Sequence, residues 1–254
     1  MKSVLDLIQT ECDIVSHNFH TKEMSNIDFF CLAMLDRLNF SCHSLKILFE
    51  NLQQNTKSEY SCGIITRSVL LDTMISLNGM IILLDEDETR NENLNDYCSI
   101  WLADSLKHSI DNVSKLYKDI PKEDREKLIL SFVNYNPDFF EELTIGSEKP
   151  MLKEKFRKPP KPEHLYNSIK NSDLKMLSKV YEGYLFYSKY DHFGQLFYEI
   201  SRKDIMMRID FLNRAIEIFP YHFYYVLIIL RYFNLENETL NISIEKMKKV
   251  IENL

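Results

Sequence analysis

Tyr184, Ser188 and His192 follow one another at four-residue steps, and Asp191 stands beside the histidine. In a helix that spacing lines all three side chains along one face. An imidazole among hydroxyls and a carboxylate can move protons near neutral pH. Two further polar residues, Arg67 and Asp72, interrupt a long apolar run. Burying either charge without a partner costs several kcal/mol, so each must pair internally or open onto water. Two arrangements satisfy that demand. In one, these residues form an internal polar network that fixes helix register. In the other, they line a pocket where Arg67 binds an anion and His192 transfers protons, with Asp72, Tyr184, Ser188 and Asp191 around them.

Other chemistry finds little footing. A di-iron helical bundle takes Glu-x-x-His pairs, and none of the histidines follows a glutamate at that spacing. His17 and His20, with Cys12 and Glu23 nearby, come closest to a metal set. His20 also sits where a first helix should end, a place that favours a histidine without any metal. The phosphate-cradling G-x-x-x-x-G-K, the dinucleotide G-x-G-x-x-G and the nucleophile elbow G-x-S-x-G are all absent. No metal and no cofactor is expected.

The elements that must carry these residues are helices. The 254 residues hold only 5 Gly and 7 Pro, too few for a protein of tight hairpins. Leu5, Ile8, Cys12, Val15 and Phe19 make a stripe at three- and four-residue steps. A second helix starts behind the capping residues Ser25 and Asn26 and runs to about residue 54. A third, 58–84, is apolar on most sides and should sit at the centre, wanting more neighbours than the first half of the chain supplies. Further helices are expected over 94–118, from Lys122 behind Pro121, from Asp173 to Asp191, and through 195–233 and 242–254. The fold class is all-α: a single domain over 1–254, a bundle of long antiparallel helices, with 144–162 as a surface loop or insertion.

That loop is rich in Pro and in cations. Lys149, Lys153, Lys155, Arg157, Lys158 and Lys161 oppose only Glu148 and Glu154. Lys153, Lys155, Arg157 and Lys158 are the natural phosphate contacts if RNA binds, and otherwise a solvated basic loop. The whole chain carries a net charge of −7, which argues against a dedicated nucleic-acid binder. The aromatic cluster Tyr221, Phe223, Tyr224 and Tyr225 offers either core packing or a protein-binding face. The 5 cysteines, with no C-x-x-C, read as buried thiols of a reducing compartment. Acidic residues come too early in MKSVLDLIQTECD for a signal peptide. Arg67, Asp72 and Asn78 mark 64–84 as a core helix rather than a membrane span. A cytoplasmic location is expected.

The start Arg67-Ser-x-Leu-Leu-Asp72 of a long apolar helix, joined far downstream by Tyr184-x-x-x-Ser188-x-x-x-His192, resembles the HEPN-like helical bundles. The resemblance implies a prokaryotic protein of defence or stress response, with RNA or protein as partner and a homodimer as assembly. It favours a binding or interaction module, and offers as alternative a metal-independent ribonuclease. In such a nuclease Arg67 would stabilise the phosphate and His192 would do acid–base work. The family's nucleases set an Arg and a His four to six residues apart. Arg37 and His43 do so here, with five residues between them. On a regular helix that separation turns the two side chains about 120° apart, off a common face.

Overall fold

The structure is a computed structural model that describes residues 2–19, 24–52, 58–117, 119–141, 150–188 and 205–254. In chain order its helices are α1 (Lys2–Phe19), α2 (Asn26–Leu52), α3 (Ser58–Leu84), α4 (Arg90–Leu116), α5 (Lys122–Tyr135), α6 (Pro162–Lys170), α7 (Lys179–Ser188), α8 (Ile205–Ile216), α9 (Phe219–Tyr232) and α10 (Glu238–Ile251). The protein is all-α. Among the described residues the only extended pairing is one antiparallel bridge, Phe140 with Leu152. The chain divides into two compact units, Met1–Arg90 with Lys161–Leu254, and Asn91–Pro160.

In the first unit the apolar pattern sets the layering. The α1 stripe Leu5, Ile8, Cys12, Val15 and Phe19 is buried along its length. Each Leu, Ile, Val or Phe of that stripe gives about 1.5–3 kcal/mol on leaving water. Ser25 and Asp28 then start α2 with a reciprocal cap. The Asp28 backbone N–H donates to Ser25 Oγ at 3.1 Å, and the Ser25 backbone N–H donates to the Asp28 carboxylate at 3.0 Å. Apolar residues run all round α3 rather than along one face, because almost every face is covered. It packs on α2 and also on α6, α7, α8 and α9, so the second half of the chain completes its surroundings. By length and composition alone α3 is apolar enough to cross a membrane, yet here most of it is buried among other helices. Gly183 lets α7 approach it closely: a Cβ at that position would stand 3.1 Å from Leu70 Cδ1.

The expected helix from Asp173 begins later. Ser172 Oγ accepts from the Leu174 backbone N–H at 3.1 Å and holds a turn there. A short 3₁₀ stretch, Lys175–Ser178, follows before α7 starts at Lys179. All five cysteines are buried, and none is joined to another in a disulfide. Burial pushes the Cys42 and Cys62 thiols up to about 12.

In the second unit α4 and α5 are joined at Pro121, which precedes α5. Past Asn136-Pro137 the chain makes a 3₁₀ turn and then the Phe140–Leu152 bridge, with the Glu141 N–H donating to the Met151 carbonyl and the Lys153 N–H to that of Phe139, both at 2.9 Å. Phe156 is buried and meets Phe139 edge-on, ring centroids 5.2 Å apart. From Pro150 onward, then, the basic Pro-rich stretch is anchored by apolar contacts rather than held only by solvent.

Candidate functional site

Arg67 and Asp72 stand five positions apart on α3, a rotation of about 140°. They accordingly meet different neighbours. The Arg67 guanidinium lies over the ring of Tyr184 on α7, 5.5 Å from its centroid. Tyr184 ends a ladder of near-parallel rings. Tyr181 is 6.2 Å from it, Tyr166 stacks on Tyr181 at 4.5 Å, and Lys170 Nζ sits 5.8 Å from the Tyr166 centroid. Ser188 turns its hydroxyl back onto its own helix, donating to the Tyr184 carbonyl at 2.7 Å. Asp191 and His192 lie outside the described residues. Of the expected pocket, the described part thus brings Arg67 and Tyr184 together and directs Ser188 and Asp72 elsewhere.

Asp72 points to α2. Its Oδ2 accepts from Arg37 Nε at 2.9 Å, and its Oδ1 is buried without a partner among the described residues. The carboxyl is almost fully covered, whereas the Arg37 side chain is 59% exposed. Burial pushes the Asp72 carboxyl up to about 6, against the pull of the Arg37 charge and hydrogen bond. One helical turn on, Ser76 Oγ donates to the Asp72 carbonyl at 2.9 Å and lies 3.2 Å from Nδ1 of His222 on α9. His222 is completely buried. Burial drives its imidazole down to about 3, the Arg37 charge works in the same direction, and the Met34 carbonyl opposes them. His222 is therefore neutral at physiological pH. His43, the other half of the Arg37 spacing, is exposed on α2 while Arg37 holds Asp72.

The same device recurs across the first unit. Arg208 Nη1 on α8 meets Glu59 Oε2 on α3 at 2.6 Å. Asn78 Nδ2 donates to the Leu165 carbonyl of α6 at 3.0 Å. Glu11 on α1 accepts from Ser243 Oγ and Lys246 Nζ of α10, both at 2.6 Å. Asp28 on α2 accepts from Asn234 Nδ2, just past α9, at 2.8 Å. Each is a cross-link between different elements, made by polar groups set into apolar surfaces. A slip of one residue in either helix would strand a buried donor or acceptor, which is how such pairs fix register.

Two cations of the basic stretch, Lys155 and Arg157, are engaged as well. Lys155 Nζ reaches Asp96 at 3.2 Å and covers the Phe156 ring. Arg157 is bonded to Glu141 and to the Leu152 carbonyl. Lys158 is exposed and Lys153 half-buried. Lys149, Glu142 and Glu148 lie outside the described residues, as does His20. Among the described residues no group of three His, Cys, Asp or Glu could hold a metal ion. In the aromatic cluster of α9, Phe223 is fully buried and Tyr221, Tyr224 and Tyr225 are half-buried.

Family models, curated proteins and solved structures give no match to this chain. Its function must be argued from its own residues. Sequence reasoning missed most of the cross-link partners, among them Glu11, Glu59, Arg208, Asn234 and His222. The available signal was a charged or polar side chain inside an otherwise apolar helical face, the criterion that did single out Asp72.

Proposed function

We propose that the protein is a cytoplasmic, HEPN-like binding module rather than an enzyme. The observation that carries this reading is the use made of Asp72. Asp72 is one of the two acids of the expected pocket, and it is tied to Arg37 on α2 rather than turned toward Arg67 and Tyr184. A general acid–base pair needs its groups within hydrogen-bond reach of one reacting atom. The Ser76–His222 pair has that proximity but is fully buried, with an imidazole too weakly basic to accept a proton at pH 7. Polar groups committed to packing leave recognition, not bond-making, as the work of this fold.

One observation favours the ribonuclease reading. Arg67 meets Tyr184 on α7, the helix that ends four positions before His192 in the sequence. The two readings part in one assay, incubation of the purified full chain with total cellular RNA in EDTA. The binding reading expects the RNA to remain intact over hours. Metal-free cleavage that disappears in Arg67→Ala and in His192→Ala, each still folded by circular dichroism, would replace it with the nuclease.

A further inference from the structure

The second unit contains a cleft of about 660 Å³, a size within the range of about 300–1,000 Å³ usual for small-molecule sites. Two helices and the bridge line it. Lys107, Ile110 and Asp111 come from one face of α4, and Lys122, Arg125, Glu126 and Ile129 from one face of α5. Phe140, Met151 and Leu152 add apolar surface from the bridge. Ile110, Phe140 and Leu152 are themselves nearly buried, so the floor is apolar and formed in advance.

The charges in the cleft are not all spent. Lys122 pairs with Glu126 at 3.6 Å, and Arg157 is bonded to Glu141. That leaves two cations, Lys107 and Arg125, against one acid, Asp111, none of them in an ion pair among the described residues. Arg125 Nε is in addition buried without a hydrogen-bond partner. A buried donor with nothing to donate to calls for an explanation, and a ligand acceptor supplies one.

We propose that this cleft binds a small amphipathic carboxylate, with an aliphatic or aromatic body on Ile110, Phe140 and Leu152 and its carboxylate on Arg125. The planar guanidinium fork matches a carboxylate with two parallel N–H···O bonds, and the Lys107 ammonium adds charge. Asp111 and Glu126 set the charge that is accepted. They repel a second negative charge, so a monoanion is selected over a phosphate dianion or a nucleic-acid strand. The assignment rests on the reading of the chain as a binding module and gives that reading a site and a ligand class.

The test is calorimetric titration of the full chain with octanoate and with phenylpropanoate. Octanol serves as the neutral comparator; inorganic phosphate and poly-uridylate RNA serve as the competing anions. Saturable one-site binding of either carboxylate is expected, weakened at least about tenfold in Arg125→Gln. Met151→Asp places a repelling charge at a position that is 58% exposed, so it leaves folding intact and should also weaken binding. Octanol should bind more weakly, and poly-uridylate should not displace the carboxylate. Binding that is absent, unchanged in both variants, matched by octanol, or displaced by poly-uridylate would overturn the assignment. Failure here with RNA left intact would remove the cleft but keep the binding reading. Cleavage of RNA beside intact carboxylate binding would do the reverse.

Discussion

Arg208→Met is expected to cost about 3–5 kcal/mol of unfolding free energy at neutral pH. Its partner Glu59 has a side chain only 3% exposed, and that of Arg208 is 16% exposed, so little water can take over the pairing. Removing the cation takes the Arg208 charge away from a Glu59 carboxylate that is desolvated on α3. The first-turn position of Glu59 gives some relief, since the N-terminal end of a helix favours an anion. The companion change Glu59→Met in the same chain should recover most of the loss, because an apolar pair of similar volume no longer buries a charge. Urea unfolding followed by far-ultraviolet circular dichroism measures both proteins. A cost below about 1 kcal/mol for Arg208→Met would mean that the pair is solvated and worth no more than a surface ion pair.

The second large effect is in pH dependence, and wild type should hide it. Asp72 has its carboxyl raised from 3.8 to about 6, so its contribution to stability falls as pH rises through that window. His222 is lowered from 6.5 to about 3, so its contribution grows as pH rises from about 3 to 6.5. The two slopes are opposite wherever the windows overlap, between 3.8 and about 6. In that range folding moves one proton from a histidine to an aspartate and changes the total bound by none. Asp72→Asn removes one side of the balance. Relative to wild type, this variant should lose about 1.4 kcal/mol for each pH unit of acidification across that window. Exposed Arg37 can find water in the variant, so the unpaired cation does not mask the slope. The check is the difference between the two unfolding free energies over a pH series. A difference that is flat with pH would show that Asp72 does not titrate as its burial requires.

Much of this arrangement was legible in particular residues. The three- and four-residue stripe of α1, the Ser25 cap of α2 and the all-round apolarity of α3 follow from local chemistry, and they gave the all-α class. The need of α3 for partners from the second half was also readable, since burying so many sides takes more neighbours than α1 and α2 can offer. That Asp72 must pair internally or open onto water followed from the cost of burying a carboxylate. Which cation it finds did not. Arg37 is 35 positions away, and His222 stands 146 positions from Ser76. Those distances are closed by tertiary packing, which spacing along one helix does not encode. The grouping of Arg67 with Asp72 rested on nearness in sequence, where five positions turn the side chains well apart. The cleft was out of reach for the same reason. Its cations come from two helices and its floor from the bridge, and none of these faces is distinctive alone.

The claim on which the rest depends is that polar residues set into α3 are cross-links rather than spare chemistry. A double-mutant cycle on Arg37→Ala and Asp72→Ala, read by urea unfolding at pH 7, tests it most directly. The account predicts that each single change destabilises the fold and that the two are coupled by about 1–2 kcal/mol, the double variant costing less than the sum. Residues kept for function behave differently, because their removal often leaves stability unchanged or raises it. Single variants as stable as wild type, with no coupling between them, would contradict the account and return Asp72 to the candidates for a working site.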